Sequence, residues 1–162
     1  MDPDRVVREQ LLSLFRGGNA HMSFDEAVAE FPLEHINSRP PNVPYSPWHL
    51  LEHIRIAQWD ILEYIRNSEH VSPQWPEGYW PPPEEQADEM KWHKTINDFR
   101  ADLESLQGLV EDSGMDLYAP VPHATTCTIF REILIVADHN AYHIGEFAIL
   151  RQVMGTWAAQ LG

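Results

Sequence analysis

The sequence predicts an all-α protein folded as a four-helix bundle. Three observations carry that prediction. Apolar residues recur at helical spacing in four long segments, whereas strand signals are scarce. Capping residues stand at the openings of helical segments, and glycines or prolines follow several of their ends. The 162 residues, 43% of them hydrophobic, suit one domain spanning 1–162 with a real core.

The elements follow in chain order. Asp2 or Asp4, with Pro3, opens a first helix through VVREQLLSLF that stops at Gly17-Gly18. Ser23 and Glu26 form a capping box for a short helix, FDEAVAEF, ending before Pro32. The proline-rich NSRPPNVPY is a loop. Ser46-Pro47 then starts a helix running from about 47 to about 67. A link without helical or clear strand character, SEHVSPQWPEGYWPPP, precedes a charged amphipathic helix from Glu84 to about Glu111. That helix turns Trp92, Ile96, Phe99, Leu103, Leu106 and Val110 inward. After the loop SGMDLYAPVPHATT, Thr126 or Thr128 caps a last helix to about Met154, closed by Gly155.

The roughly 16 residues between the second and third long helices can reach ~50 Å. A ~20-residue helix is only ~30 Å long. The link is therefore long enough to return along the whole helix and let the next one run parallel to it.

Charge and cysteine content narrow the function. The formal charge of −14 disfavours a phosphate-binding surface, so neither nucleic acid nor an anionic membrane is an expected partner. No apolar run approaches a membrane span, and the N-terminus lacks signal-peptide features; a cytoplasmic protein is expected. Cys127 is the sole cysteine, which rules out an internal disulfide or a cysteine-rich zinc site. Any metal would be held by the nine histidines and the carboxylates.

Two His-x-x-x-His pairs occur, His49/His53 and His139/His143. Residues four apart share one side of a helix, so such a pair can grip one metal ion. In the last helix His143 lies on the shoulder of the apolar face marked by Ile133, Val136, Ile144 and Phe147, with His139 a little further out. In the second, Leu51, Ile54, Ile61 and Ile65 mark the buried stripe, with His53 on its flank and His49 nearer solvent. His53 is thus the candidate to meet His139 and His143, provided the two helices are antiparallel. A flanking histidine can equally be a hydrogen-bonded packing residue, and spacing leaves both readings open. His21, His35, His49, His70 and His93 read as surface or loop residues; His123 is a loop residue that could overhang the site.

SPWHLLEHIRIAQWDI and DHNAYHIGEFAILRQ resemble the second and last helices of the DinB/YfiT-like superfamily. The aromatic, proline-rich QWPEGYWPPP suits that family's crossover, and the resemblance runs from the second long helix to residue 154. It implies an up-down-down-up bundle, often dimeric, with a divalent metal, commonly nickel or zinc, on three histidines: here His53, His139 and His143. Many members have Gln where Glu146 stands. Members include thiol-dependent transferases using low-molecular-weight thiols, and a maleylpyruvate isomerase.

The expected function is a metal-dependent enzyme acting on a small molecule by thiol transfer or hydrolysis. The alternative is a non-enzymatic, dimeric stress-associated or binding protein with a structural or vestigial metal. HExxH is absent, which argues against a zincin-type protease. Glu146, the candidate catalytic residue, can act as a base, orient a histidine or form a surface ion pair. Asp60 is a candidate to line the site, Asp138 is expected in solvent, and Gly145 is expected to permit close helix packing. Trp75, Tyr79 and Trp80 cover the site or pack on the core. Exposed apolar strips on the first and third long helices would favour a homodimer.

Overall fold

Local capping chemistry fixes most helix ends in the computed structural model, which describes residues 2–122, 124 and 126–158. Helix α1 spans Pro3–Arg16, with Asp2 accepting from the Asp4 amide at its start and Gly17 following its end. The short α2, Phe24–Val28, carries the Ser23/Glu26 capping box. It ends earlier than the sequence suggests, because Ala29 turns extended and Glu30 takes a positive φ of 51°. Helix α3 spans Pro47–Arg66, α4 Glu89–Glu111 and α5 Ile129–Met154.

Helix α4 starts five residues after the expected Glu84. Asp88 caps it by accepting from the Lys91 amide at 2.7 Å, while Glu85 is held in a turn by Pro82 O. Thr128 caps α5, and Gly155 closes it in the left-handed conformation that a residue without Cβ adopts cheaply. Short 3₁₀ turns occupy Leu33–His35 and Glu77–Tyr79. Among the described residues there is no strand, only an isolated bridge between Pro120 and Thr128.

Four main helices, α1, α3, α4 and α5, pack together. Trp48 donates to Thr95 and Gln58 to Phe99 O, so residue numbers rise together along α3 and α4. His53 meets His143 and Gln58 meets Asn140, so along α3 and α5 they run in opposite senses. This is the arrangement the histidine levels require.

The core is two apolar clusters. Trp48, Leu51, Ile54, Phe99 and Phe147 centre one, and Leu62, Leu106, Ile133 and Val136 the other. Leu62, not Ile61, is the fully buried residue of the α3 stripe; one position is a 100° turn on a helix. Gln58 and Asn140 form a buried polar pair between helices. No helix among the described residues is long and apolar enough to cross a membrane.

Candidate metal centre

His53 projects from the second turn of α3, where the Ser46–Pro47 start fixes its level. His139 and His143 project from adjacent turns of α5. The Nε2 atom of His53 lies 3.2 Å from Nε2 of His143 and 3.2 Å from Nε2 of His139. One ligand nitrogen from each of the three rings lies within 4.8 Å of the other two. His53 is only 2% exposed, and the α5 pair is partly exposed.

The atoms behind these rings decide what the cluster can hold. Nδ1 of His53 lies 2.9 Å from the carbonyl oxygen of Tyr79, which only accepts, so Nδ1 carries the proton. Nδ1 of His143 lies 2.5 Å from Oε2 of Glu146 and donates to it. In their neutral forms both rings then present bare Nε2 lone pairs to each other at 3.2 Å. Two lone pairs cannot hydrogen-bond, so a cation between them removes the repulsion. Two nitrogens each ~2.0–2.1 Å from a zinc ion must lie within ~4.2 Å of one another. Both 3.2 Å separations from His53 satisfy that limit, and the three donors together fit a divalent ion.

Burial favours the neutral form of two of the donors, His53 and His139. Burial lowers the His53 pKa from its ordinary value, with a further push from His143 against the raising effect of the Tyr79 carbonyl. Burial, then the His143 and His53 rings, takes His139 down to about 4. Burial alone would raise the Glu146 carboxyl. The hydrogen bonds from His143 and from the Tyr45 hydroxyl outweigh it and hold the group below its ordinary range. Burial and the hydrogen bond to Glu146 raise the Tyr45 phenol, so it remains a donor.

The DinB superfamily family model matches residues 19–147, well over half of the chain and inclusive of all three histidines. The chain belongs to the DinB superfamily. Comparison with curated proteins and with solved structures returns no match.

In this DinB-superfamily domain the predicted ligands come together, and several neighbouring expectations need correcting. His49 is buried, not near solvent. It takes the third position of the α3 capping box, with Nδ1 2.5 Å from the Ser46 hydroxyl, and its Nε2 meets Pro82 O at 3.1 Å. His70 is no surface residue either, since its Nε2 lies 2.7 Å from Oδ1 of Asp60 and its side chain is buried. Asp60 stands behind the cluster rather than lining it, also accepting from the Tyr79 hydroxyl at 2.6 Å. Gly145 is exposed, with open space where a Cβ would stand, so close packing does not explain it. Asp138 is exposed as expected, and His123 lies outside the described residues.

The crossover aromatics divide their roles. Trp80 lies flat on the His53 ring, centroids 4.0 Å apart and planes 4° from parallel, whereas Trp75 is exposed. The Tyr79 carbonyl and the Tyr45 hydroxyl were not foreseen as site groups. Both come from irregular segments, where periodicity gives no direction to a side chain or a carbonyl.

Proposed function

We propose that this DinB-superfamily chain is a metal-dependent enzyme acting on a small molecule, by thiol transfer or hydrolysis. The observation that carries the proposal is the meeting of three imidazoles whose rear nitrogens, on His53 and His143, are already committed to acceptors. Imidazole donors suit nickel and zinc. Three protein ligands leave room for an exchangeable group, as in catalytic sites; structural zinc sites are usually closed by four. The partial exposure of His139 and His143 supports the open kind over a structural metal.

A divalent ion held here supplies Lewis acidity, lowering the pKa of a bound water or low-molecular-weight thiol toward neutrality. The protein's own part is arrangement. His53, His139 and His143 would hold the ion through their ring nitrogens, and burial favours the neutral form of His53 and His139. Glu146 orients His143. Its Oε1 is taken by Tyr45 and its Oε2 by His143, so an orienting role fits better than a free base. Trp80 shields one face of His53 from water. The chain is proposed to work as a homodimer.

Metal analysis of tag-free protein after repletion with zinc or nickel tests the proposal. One ion per chain is expected in the wild type, and none in His53→Ala or His143→Ala. Retention of one ion per chain by both variants overturns the site. A metal-loaded wild type that leaves thiol-transfer and ester or amide test substrates untouched, with no exchangeable ligand in its spectrum, favours the structural alternative.

A further inference from the structure

Behind His53 lies a second polar cluster that the metal ligands do not include. Asp60 follows His53 by seven residues on α3, ~10 Å along the axis. It is 6% exposed, and each of its carboxylate oxygens has a partner. Oδ1 meets His70 Nε2 at 2.7 Å, just beyond the end of α3, and Oδ2 accepts from the Tyr79 hydroxyl at 2.6 Å. Trp59 packs edge-on against the His70 ring, centroids 5.2 Å apart.

Tyr79 bridges this cluster to the metal site. Its phenol is fastened to Asp60, and its backbone carbonyl receives the His53 Nδ1 proton at 2.9 Å. The next residue, Trp80, places its indole on the His53 ring. Tyr79 ends a single 3₁₀ turn in an otherwise irregular crossover, a poor platform for a fixed carbonyl unless something ties it down. Asp60 is that tie. It belongs to the same helix as His53, so the helix holds both its ligand and the anchor of the loop that orients the ligand.

We propose that Asp60 is a positioning residue for the metal site, acting through Tyr79. By holding the Tyr79 phenol it keeps the Tyr79 carbonyl on Nδ1 of His53, which leaves Nε2 bare and aimed at His139 and His143. The proposal rests on the three-histidine metal site for its functional meaning. The carbonyl and its anchor are geometric facts independent of any ion.

The test compares wild type, Asp60→Asn, Tyr79→Phe and the double variant, with His53→Ala as the site control. Tyr79→Phe removes only the hydroxyl and leaves the carbonyl in the chain. The first readout is affinity for cobalt and zinc, by competition with a chromophoric chelator. Partners that orient metal-bound histidines are worth about 10–100-fold in affinity. A more remote anchor should sit near the lower end, so each single variant is expected to bind about tenfold more weakly. Because Asp60 acts through Tyr79, the double variant should bind no more weakly than either single one. The second readout is the ¹⁵N spectrum of the imidazoles in metal-free protein. The wild type should show His53 protonated at Nδ1 and bare at Nε2, and the variants a mixture of tautomers.

Additive losses in the double variant overturn the proposal. So does a lowered urea midpoint with unchanged affinity and unchanged His53 nitrogen shifts, the mark of a purely structural contact. A wild type that binds no metal defeats the metal-site reading instead, and the tautomer measurement then still decides the role of Asp60.

Discussion

At the scale of single residues, the site depends on which nitrogen of each ring carries the proton. Glu146 sets this for His143, and Tyr45 in turn holds Glu146. Replacing Glu146 with Leu removes the acceptor, and metal affinity should fall about 10–100-fold. Glu146→Gln keeps an acceptor oxygen and should lose much less, although its neutral amide no longer favours a cationic centre. Equal losses in the two variants, measured by chelator competition, would argue against orientation as the role of this side chain. His139 permits a pH test in metal-free protein. Burial and its histidine neighbours hold it at about 4 when folded, against an ordinary 6.5. Between these values the unfolded chain binds the extra proton, so stability should fall as pH drops from about 6.5 toward 4 and this contribution should level off below. Urea unfolding across that range, in chelator, should give a shallower decline for His139→Gln; parallel curves would show that His139 carries no such linkage.

At the scale of elements, two buried arginines complete helix ends. Arg8 donates to the carbonyls of Val110, Asp112 and Met115 around the C-terminus of α4. Arg151, only 1% exposed, donates to the carbonyls of Ala27 in the last turn of α2, Ala29 just beyond it and Thr156 after α5. Terminal carbonyls lack helical partners and carry partial negative charge, which a guanidinium satisfies. Arg151→Met should leave these acceptors unpaired and cost about 2–4 kcal/mol. In thermal melts that is a drop of roughly 5–15 °C; a shift of a degree or two would mean that water replaces the arginine. These contacts also show where sequence reading stops. Ser23 and Ser46 were legible as caps, and Asp2 and Thr128 as one of two candidates each, because a cap is a rule about three or four neighbouring residues. Spacing and depth made His53 the candidate to meet His139 and His143, and the resemblance of the two helix motifs singled the three out as ligands. Arg151 reaches a carbonyl 124 residues away, and Tyr79 reaches His53 from a segment without periodicity, so neither contact is written in any local pattern.

At the scale of the whole molecule, the unexplained surface is on α5. Ile135, Tyr142, Ile149 and Val153 are exposed, the last three by 64–71%, and they fall within a narrow stripe at spacings of seven, seven and four residues. Exposed apolar strips on the first and third long helices would also have favoured a dimer. There the corresponding outliers are single residues, Leu14 and Met90, and isolated exposed apolar side chains are ordinary. A continuous stripe of this kind suits an isologous pairing in which α5 crosses α5 of a second copy. The chain's charge of −14 opposes that contact at long range, while burial of the stripe favours it. Added salt screens the first and leaves the second, so the dimer should tighten as ionic strength rises. Glu146 borders the stripe about 40° from Tyr142 in helical projection, so a partner seated there would stand beside the candidate metal site. Sedimentation of the wild type at low and high salt should show a dimer strengthened by salt, and Ile149→Glu should be monomeric with an unchanged far-ultraviolet spectrum. A wild type monomeric at both salt concentrations, or a dimer indifferent to Ile149→Glu, excludes this face as the interface.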